Sequence, residues 1–352
     1  MYHGDHVLSF GNEINIWSKA LFLKVLANPD VSTLFLPSIT LDTSLIAKNG
    51  EHFLRIREGE KITLGTCVSP RWVSLEELKE YLREIRKFYD DKEIVISLAY
   101  HRISSFSLLV EKIKNIFEEI DGLELNLIPS FYKVGREERE LMLLKTAEIL
   151  RTMESLSALN IYVKAPLIGI QGRHIETLID GGAEYVILSL HRIIRYKNSI
   201  YALHSPYLAR ILLEYIPLTL DPIEGYRDKV GISADFSDIK HLHKFSKEYR
   251  LIQLDFNLLN RELFSIFGEE SGEKIQLISI RHPEFKAFID VSTCNKCEDR
   301  LLCVKICPEN AINPDGEQKY PRVDFTRCKA CGLCIAVCPK EAIHWIRIIS
   351  PE

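Results

Sequence analysis

From residue 1 to about 288, short runs rich in β-branched residues alternate with longer stretches whose apolar positions recur every three or four residues. The short runs predict strands at ALFLKV (20–25), STLFL (32–36), EIVISLA (93–99), LELNLI (123–128), NIYVKA (160–165), YVILSL (185–190), KVGISA (229–234) and RLIQLDF (250–256). The longer stretches predict helices at 74–88, 105–120, 136–153, 173–182, 205–215 and 237–249. Two end signals fit this reading. Ser74 precedes Leu75 with Glu77 three positions on, a capping box. Gly181-Gly182 closes the helix that comes before the sixth strand. Eight strands alternating with helices mean a parallel sheet, and over this length they point to a TIM-type (β/α)8 barrel. A doubly wound open sheet is the alternative.

Composition adds limits. The chain has 352 residues and a formal charge of −4, with 45 Lys plus Arg against 49 Asp plus Glu. That balance does not suit a protein held to nucleic acid by phosphate attraction. No charge-free stretch approaches the length of a membrane span. The start MYHGDHVLSF shows no apolar signal-peptide core. A soluble, cytoplasmic protein without membrane insertion is expected.

The cysteines change the picture. Of nine, eight lie in the last 64 residues, and the only other is Cys67. Disulfides placed for stability would not crowd one end and leave the rest bare. The tail reads Cys294-x2-Cys297-x5-Cys303-x3-Cys307-Pro308, then Cys328-x2-Cys331-x2-Cys334-x3-Cys338-Pro339, and CVKICPENAI at 303–312 recurs as CIAVCPKEAI at 334–343. Thiolates are the soft ligands that iron–sulfur cubes take, and three on one tight loop can hold three corners. A pair of zinc sites is the other use of C-x2-C, but no histidine joins the run.

This tail resembles the bacterial-type ferredoxins that carry two 4Fe-4S clusters, and the resemblance implies a small α+β domain over 289–352 behind a barrel over 1–288. It implies that Cys294, Cys297, Cys303 and Cys338 hold the first cluster, and that Cys328, Cys331, Cys334 and Cys307 hold the second. The loop EDRLL between Cys297 and Cys303 departs from the usual two-residue spacing. The tail carries nine acidic and nine basic residues, which fits electron transfer inside one complex.

The large domain resembles the FMN-dependent dihydroorotate dehydrogenases and the barrel of dihydropyrimidine dehydrogenase. The likeness runs through LRIREGEKITLGTCVSPRWVSLEELKEYLREIRKF, IVISLAY, LELNLIPS, NIYVKAPL and HIETLIDGGAEYVILSL. A barrel followed by a two-cluster tail is also the order at the C-terminal end of dihydropyrimidine dehydrogenase. The resemblance implies an FMN, contacted by Asn126 and Lys164 at the ends of the fourth and fifth strands. In structural roles, Asn126 would satisfy loop amides and Lys164 would pair with a carboxylate such as Glu124.

Several segments depart from that family. The segment after the fourth strand shortens to IPS, leaving Ser130 where a loop base would stand. Pro37 stands in LPSITL where the family has a lysine, and GTCVSP replaces an asparagine-bearing segment, so dihydroorotate and uracil are not expected as substrates. Asp235 and Asp255 sit where such a barrel offers amides to a phosphate, and two carboxylates there weigh against FMN. Cys67 reads as a buried thiol. His191-Arg192 suits either an anion contact or a solvated loop. His241-x-His243, two apart on a helix, does not read as a metal site.

Two functions remain open. One is a flavin and iron–sulfur oxidoreductase in which the barrel exchanges a hydride with a small-molecule substrate and the clusters pass electrons singly to or from a redox partner protein or subunit. The other is an electron-transfer subunit of a larger complex, whose non-catalytic barrel is a docking scaffold.

Overall fold

The computed structural model describes residues 7–10, 19–42, 44–46, 52–58, 61–68, 70, 73–153, 159–196, 199–204, 212, 216, 221–235, 248–254, 274–279, 284–297, 301–314 and 320–348. Asp255, His241, His243 and nearly all of the stretches 205–215 and 237–249 lie outside them.

Eight parallel strands close into a barrel: β1 (Val7–Phe10), β2 (Val31–Phe35), β5 (Glu93–Leu98), β6 (Gly122–Asn126), β7 (Asn160–Pro166), β8 (Tyr185–Ser189), β11 (Val230–Ser233) and β12 (Leu251–Leu254). They are neighbours in chain order, and β1 seals the ring by pairing with both β12 and β2. The barrel is therefore closed, and the open doubly wound sheet is set aside.

One expected strand is corrected. Residues 20–25 lie in helix α1 (Lys19–Leu26), and the first barrel strand is Val7–Phe10. The buried positions of α1 are Leu21, Phe22, Val25 and Leu26, a spacing that puts them on one helical face. That face packs on α2 (Leu75–Arg86), with the Phe22 and Tyr81 rings 5.8 Å apart. A continuous apolar run cannot by itself tell such a helix from a buried strand.

The outer helices include α2, α3 (Ile103–Ile113), the single turn α4 (Ile128–Phe131), α5 (Arg136–Met153) and α6 (Gly172–Asp180). Ser74 accepts the Glu77 amide at 3.1 Å, as the capping sequence predicts. Gly182 ends α6 at φ +115°, a conformation glycine adopts without steric cost.

A second sheet was not foreseen. Strands β3 (His52–Glu58), β4 (Lys61–Cys67), β9 (Arg192–Tyr196), β10 (Ser199–His204) and β13 (Lys274–Ser279) pair antiparallel in the order β13-β3-β4-β10-β9. Each piece follows the carboxyl end of a barrel strand: β3 and β4 come after β2, β9 and β10 after β8, and β13 after β12. The sheet thus stands at the end of the barrel where sites are built.

The tail forms two short helices, α7 (Leu302–Ile306) and α8 (Leu333–Val337), and two small sheets. β14 (Phe285–Ile289) pairs with β17 (Ile343–Arg347), and β15 (Ile312–Asn313) with β16 (Arg322–Val323). The boundary expected at 288/289 falls inside β14.

Candidate metal centre and barrel mouth

The repeat in the tail becomes a repeat of hydrogen bonds. The Cys294 amide donates to the Asp290 carbonyl and the Cys328 amide to the Asp324 carbonyl, both at 3.0 Å. The Ala311 amide donates to Cys307 Sγ at 3.2 Å, and the Ala342 amide to Cys338 Sγ at 3.3 Å. Asn310 and Glu341, at matching places after each Cys-Pro, both have positive φ. Among the described residues all six non-glycine positive-φ residues lie in this unit: Lys296, Cys297, Leu301, Asn310, Ala330 and Glu341. Such backbone costs energy and persists where the surroundings hold it. Here it curls the loops around the sulfurs.

The thiols gather in two groups. Cys294, Cys297 and Cys338 all lie close enough to Cys303 to act on its charge. Cys307, Cys328, Cys331 and Cys334 line one cavity together with Glu309 and Trp345. Burial, and then the neighbouring sulfurs, push the Cys303 thiol up to about 12. Burial likewise pushes Cys331 up to about 12, and Cys334 well above the ordinary thiol range. Four such thiolates gathered in one buried place would repel one another unless a cation held them, and a bound metal deprotonates a thiol outright. The donor set fits iron–sulfur cubes.

The tail is fastened to the barrel side by Arg55. This residue of β3 is buried, and its Nη1 donates to the carbonyls of Ile335 at 3.0 Å and Cys338 at 3.1 Å. Its Nη2 lies 3.4 Å from Glu341. Across the capping sheet Arg55 pairs with Leu64, and Leu64 with His204. Directly paired residues share a face, so the three form a row. Strands stand about 4.8 Å apart, so Arg55 and His204 are separated by on the order of 10 Å.

At the other end of that row is the barrel mouth. His204 Nδ1 lies 2.7 Å from Asp235 Oδ2, and His191 Nε2 lies 3.5 Å from the same oxygen. The far nitrogen of each ring meets a hydroxyl: His204 Nε2 with Thr66 Oγ1 at 2.7 Å, and His191 Nδ1 with Ser189 Oγ at 3.3 Å. All five side chains are buried. Burial would raise the Asp235 carboxyl, but hydrogen bonds and charge from His191 and His204 hold it well below the usual carboxylate range.

Below the mouth a polar chain crosses the bore. Lys164 Nζ donates to Gln253 Oε1 at 2.7 Å, and Gln253 Nε2 donates to Glu124 Oε2 at 3.0 Å. β12 is a barrel neighbour of neither β7 nor β6, so both bonds run through the interior. Glu124 also accepts from Ser97 at 2.8 Å, Ser97 meets Ser38 at 2.8 Å, and Asn126 Nδ2 donates to Ser38 at 2.9 Å. Asn126 Oδ1 accepts the Ile128 amide at 3.0 Å.

Lys164 and Asn126 thus stand in the barrel as their strand positions require, both buried and bonded to the barrel's own groups. Ser130 is buried and donates to the Tyr100 carbonyl. Cys67 is buried. His191, read as an anion contact or a loop residue, instead turns inward beside His204 and Asp235. His204, Thr66, Gln253 and Arg55 had not been singled out. The hairpin that carries two of them was signalled by the Gly59-Glu60 pair between alternating runs.

Residues 293–342 match the model of the 4Fe-4S dicluster domain. The tail is an iron–sulfur unit. No curated protein sequence matches the chain. Among solved structures, active domain 2 of the thermostable chitinase from Pyrococcus furiosus is similar at 12% identity and TM-score 0.46, over 71% of this chain and 83% of that one. A protein from Aquifex aeolicus VF5 is similar at 14% identity and TM-score 0.41, over 74% and 84%. Dihydrodipicolinate synthase from Agrobacterium tumefaciens is similar at 10% identity and TM-score 0.39, over 74% of each chain. Likeness at this level carries no argument, and the barrel assignment rests on the strand pairing above.

Proposed function

We propose that the chain is an iron–sulfur electron-transfer protein whose cluster unit exchanges electrons at the barrel mouth, as one half of an oxidoreductase. The reading is carried by one observation: the duplicated cysteine unit is fastened, through Arg55 on Cys338, to the sheet that also reaches His204. In this proposal Cys294, Cys297, Cys303 and Cys338 hold one 4Fe-4S cluster, and Cys328, Cys331, Cys334 and Cys307 hold the other. Each cysteine before proline crosses to the other half. When bound, the clusters supply one-electron transfer. The protein's part is to keep them dry, to donate amides to Cys307 and Cys338, and to set their charge environment.

In this proposal the cluster unit and the barrel are two units joined at β14. Exposed Phe288, Val291 and Phe325 on the cluster unit support a redox partner protein docking there. No flavin takes part in this proposal. Lys164 and Asn126 are buried and engaged with Gln253, Ser38 and the Ile128 amide, an arrangement that does not fit a ring lying against them. The scaffold reading is supported by the same network, in which interior polar groups bond mostly to one another.

The test is anaerobic analysis of the full chain, which should give about eight iron and eight sulfide per chain for two cubes. Cys303→Ser and Cys307→Ser should each damage a different cluster in electron paramagnetic resonance spectra. Identical spectra from the two variants would contradict the ligand assignment, and zinc without sulfide would end the proposal.

A further inference from the structure

The His191, His204 and Asp235 group is more ordered than buried packing requires. Their three ligand atoms lie within 4.8 Å of one another, and each is supplied by a separate segment: the ends of β8, β10 and β11. Two imidazoles and one carboxylate, facing inward at the carboxyl end of a barrel, are the donor set that zinc and ferrous iron take.

The strongest indication is the orientation of the rings. A metal-bound histidine nearly always gives its other N–H to an oxygen acceptor, such as a carboxylate, backbone carbonyl or water, which fixes tautomer and direction. Both rings here are arranged so. With Nδ1 of His204 turned to the centre, Nε2–H can donate to Thr66 Oγ1 at 2.7 Å. With Nε2 of His191 turned to the centre, Nδ1–H can donate to Ser189 Oγ at 3.3 Å. The two histidines use opposite nitrogens, and each has its own hydroxyl on the side away from Asp235.

The distances agree with a small cation. Bonds of about 2.0–2.1 Å at tetrahedral angles put ligand atoms roughly 3.3 Å apart. His191 Nε2 and Asp235 Oδ2 stand 3.5 Å apart. His204 Nδ1 and Asp235 Oδ2, at 2.7 Å, share a proton's hydrogen bond, and a cation replacing that proton would part them by about half an ångström.

We propose that His191, His204 and Asp235 form a divalent first-row transition-metal site at the barrel mouth, with Thr66 and Ser189 as positioning residues. Three protein ligands leave a fourth position for water or substrate, the form of a catalytic rather than a closed structural site. The ion would stand at the far end of the Arg55–Leu64–His204 row from Cys338. It does not depend on the clusters, since none of its ligands is a cysteine.

The site is tested with the full chain, purified anaerobically with clusters intact, using zinc ion as the probe. After chelator washing, one added equivalent of zinc should remain bound through desalting, with iron and sulfide per chain unchanged. Asp235→Asn and His204→Gln should each lose that zinc while keeping iron and sulfide. Thr66→Val, which removes only the hydroxyl behind His204, should bind zinc ten- to a hundredfold more weakly, the range for loss of such support. It also serves if the ligand variants fail to fold. Failure of the wild type to retain zinc would overturn the site. So would equal retention by Asp235→Asn, or unchanged affinity in a folded Thr66→Val protein. Loss of clusters from Cys303→Ser with zinc binding intact would separate this site from the electron-transfer reading.

Discussion

A guanidinium taken out of water must find acceptors, and Arg55, with only 2% of its surface exposed, finds two carbonyls of the cluster unit and the carboxylate of Glu341. Glu341 is partly exposed, so solvent screens its share and the two carbonyl bonds carry most of the effect. Replacing Arg55 by Met is expected to destabilise the holoprotein by about 2–4 kcal/mol, since hydrogen bonds to a charged group contribute roughly 1.5–3 kcal/mol each. Anaerobic denaturant titration would read this as a lower midpoint. A change under half a kcal/mol would mean that the join does not rest on Arg55. Nothing in LRIRE announces such a role, because arginines at alternating positions of a strand ordinarily face solvent. The acceptors stand 280 and 283 residues away in the chain. The eight cysteines were legible for the opposite reason: their chemistry is written in local spacing. Asn126 ends its strand and Lys164 stands two residues before the end of its own, yet Gln253, which joins Lys164 to Glu124, sits in an ordinary strand sequence with no local mark.

At the scale of elements, two features invite measurement. Helix α6 begins with a reciprocal cap in which His174 Nδ1 accepts the Gln171 amide at 3.1 Å, so the cap needs an unprotonated ring. Burial, and then the charge of Arg173, lower the His174 pKa in the folded chain. A histidine with a lowered folded pKa contributes stability above its unfolded pKa of about 6.5 and loses it as pH falls through that value toward the folded one. Protection factors of the amides at 171–177, corrected for the pH dependence of intrinsic exchange, are therefore expected to fall between pH 7 and pH 5.5 in wild type, and His174→Gln should flatten that dependence. Gly122, opening β6, is the second feature. A Cβ there would stand 2.8 Å from the Asn160 carbonyl and 2.9 Å from the Tyr162 ring. Gly122→Ala should cost about 1–3 kcal/mol by overpacking, read in a thermal melt of the holoprotein. The helices with strong caps and the central strands were readable because period and end signals agreed. The run at 20–25 was not, since six residues of mostly apolar character satisfy both periods. The β3–β4 hairpin had its local turn signal, but the assembly of the capping sheet did not, because its strands come from three excursions far apart in the chain.

On the scale of the whole molecule, the alternation of strands and helices was enough for a parallel barrel, and the repeat was enough for a two-cluster tail. β14, which spans the expected 288/289 boundary, pairs with a strand more than fifty residues later, a contact that leaves no local mark. The duplication has a further consequence. Two identical halves would host two sites of equal energy, and an arriving electron would have no reason to choose. The surroundings break that tie. Arg55 acts on Cys338, and Lys340 stands two residues after it, whereas the equivalent position after Cys307 is Glu309. Positive charge favours the reduced state and negative charge opposes it. A redox titration followed by spectroscopy should resolve two midpoints, with the Cys338-ligated site the higher. Arg55→Gln combined with Lys340→Glu should draw them together by tens of millivolts, on the order expected for charges several ångströms away. With midpoints in that order, the near-symmetric tail against an asymmetric neighbour would act as a one-way slope with its lower end toward the barrel.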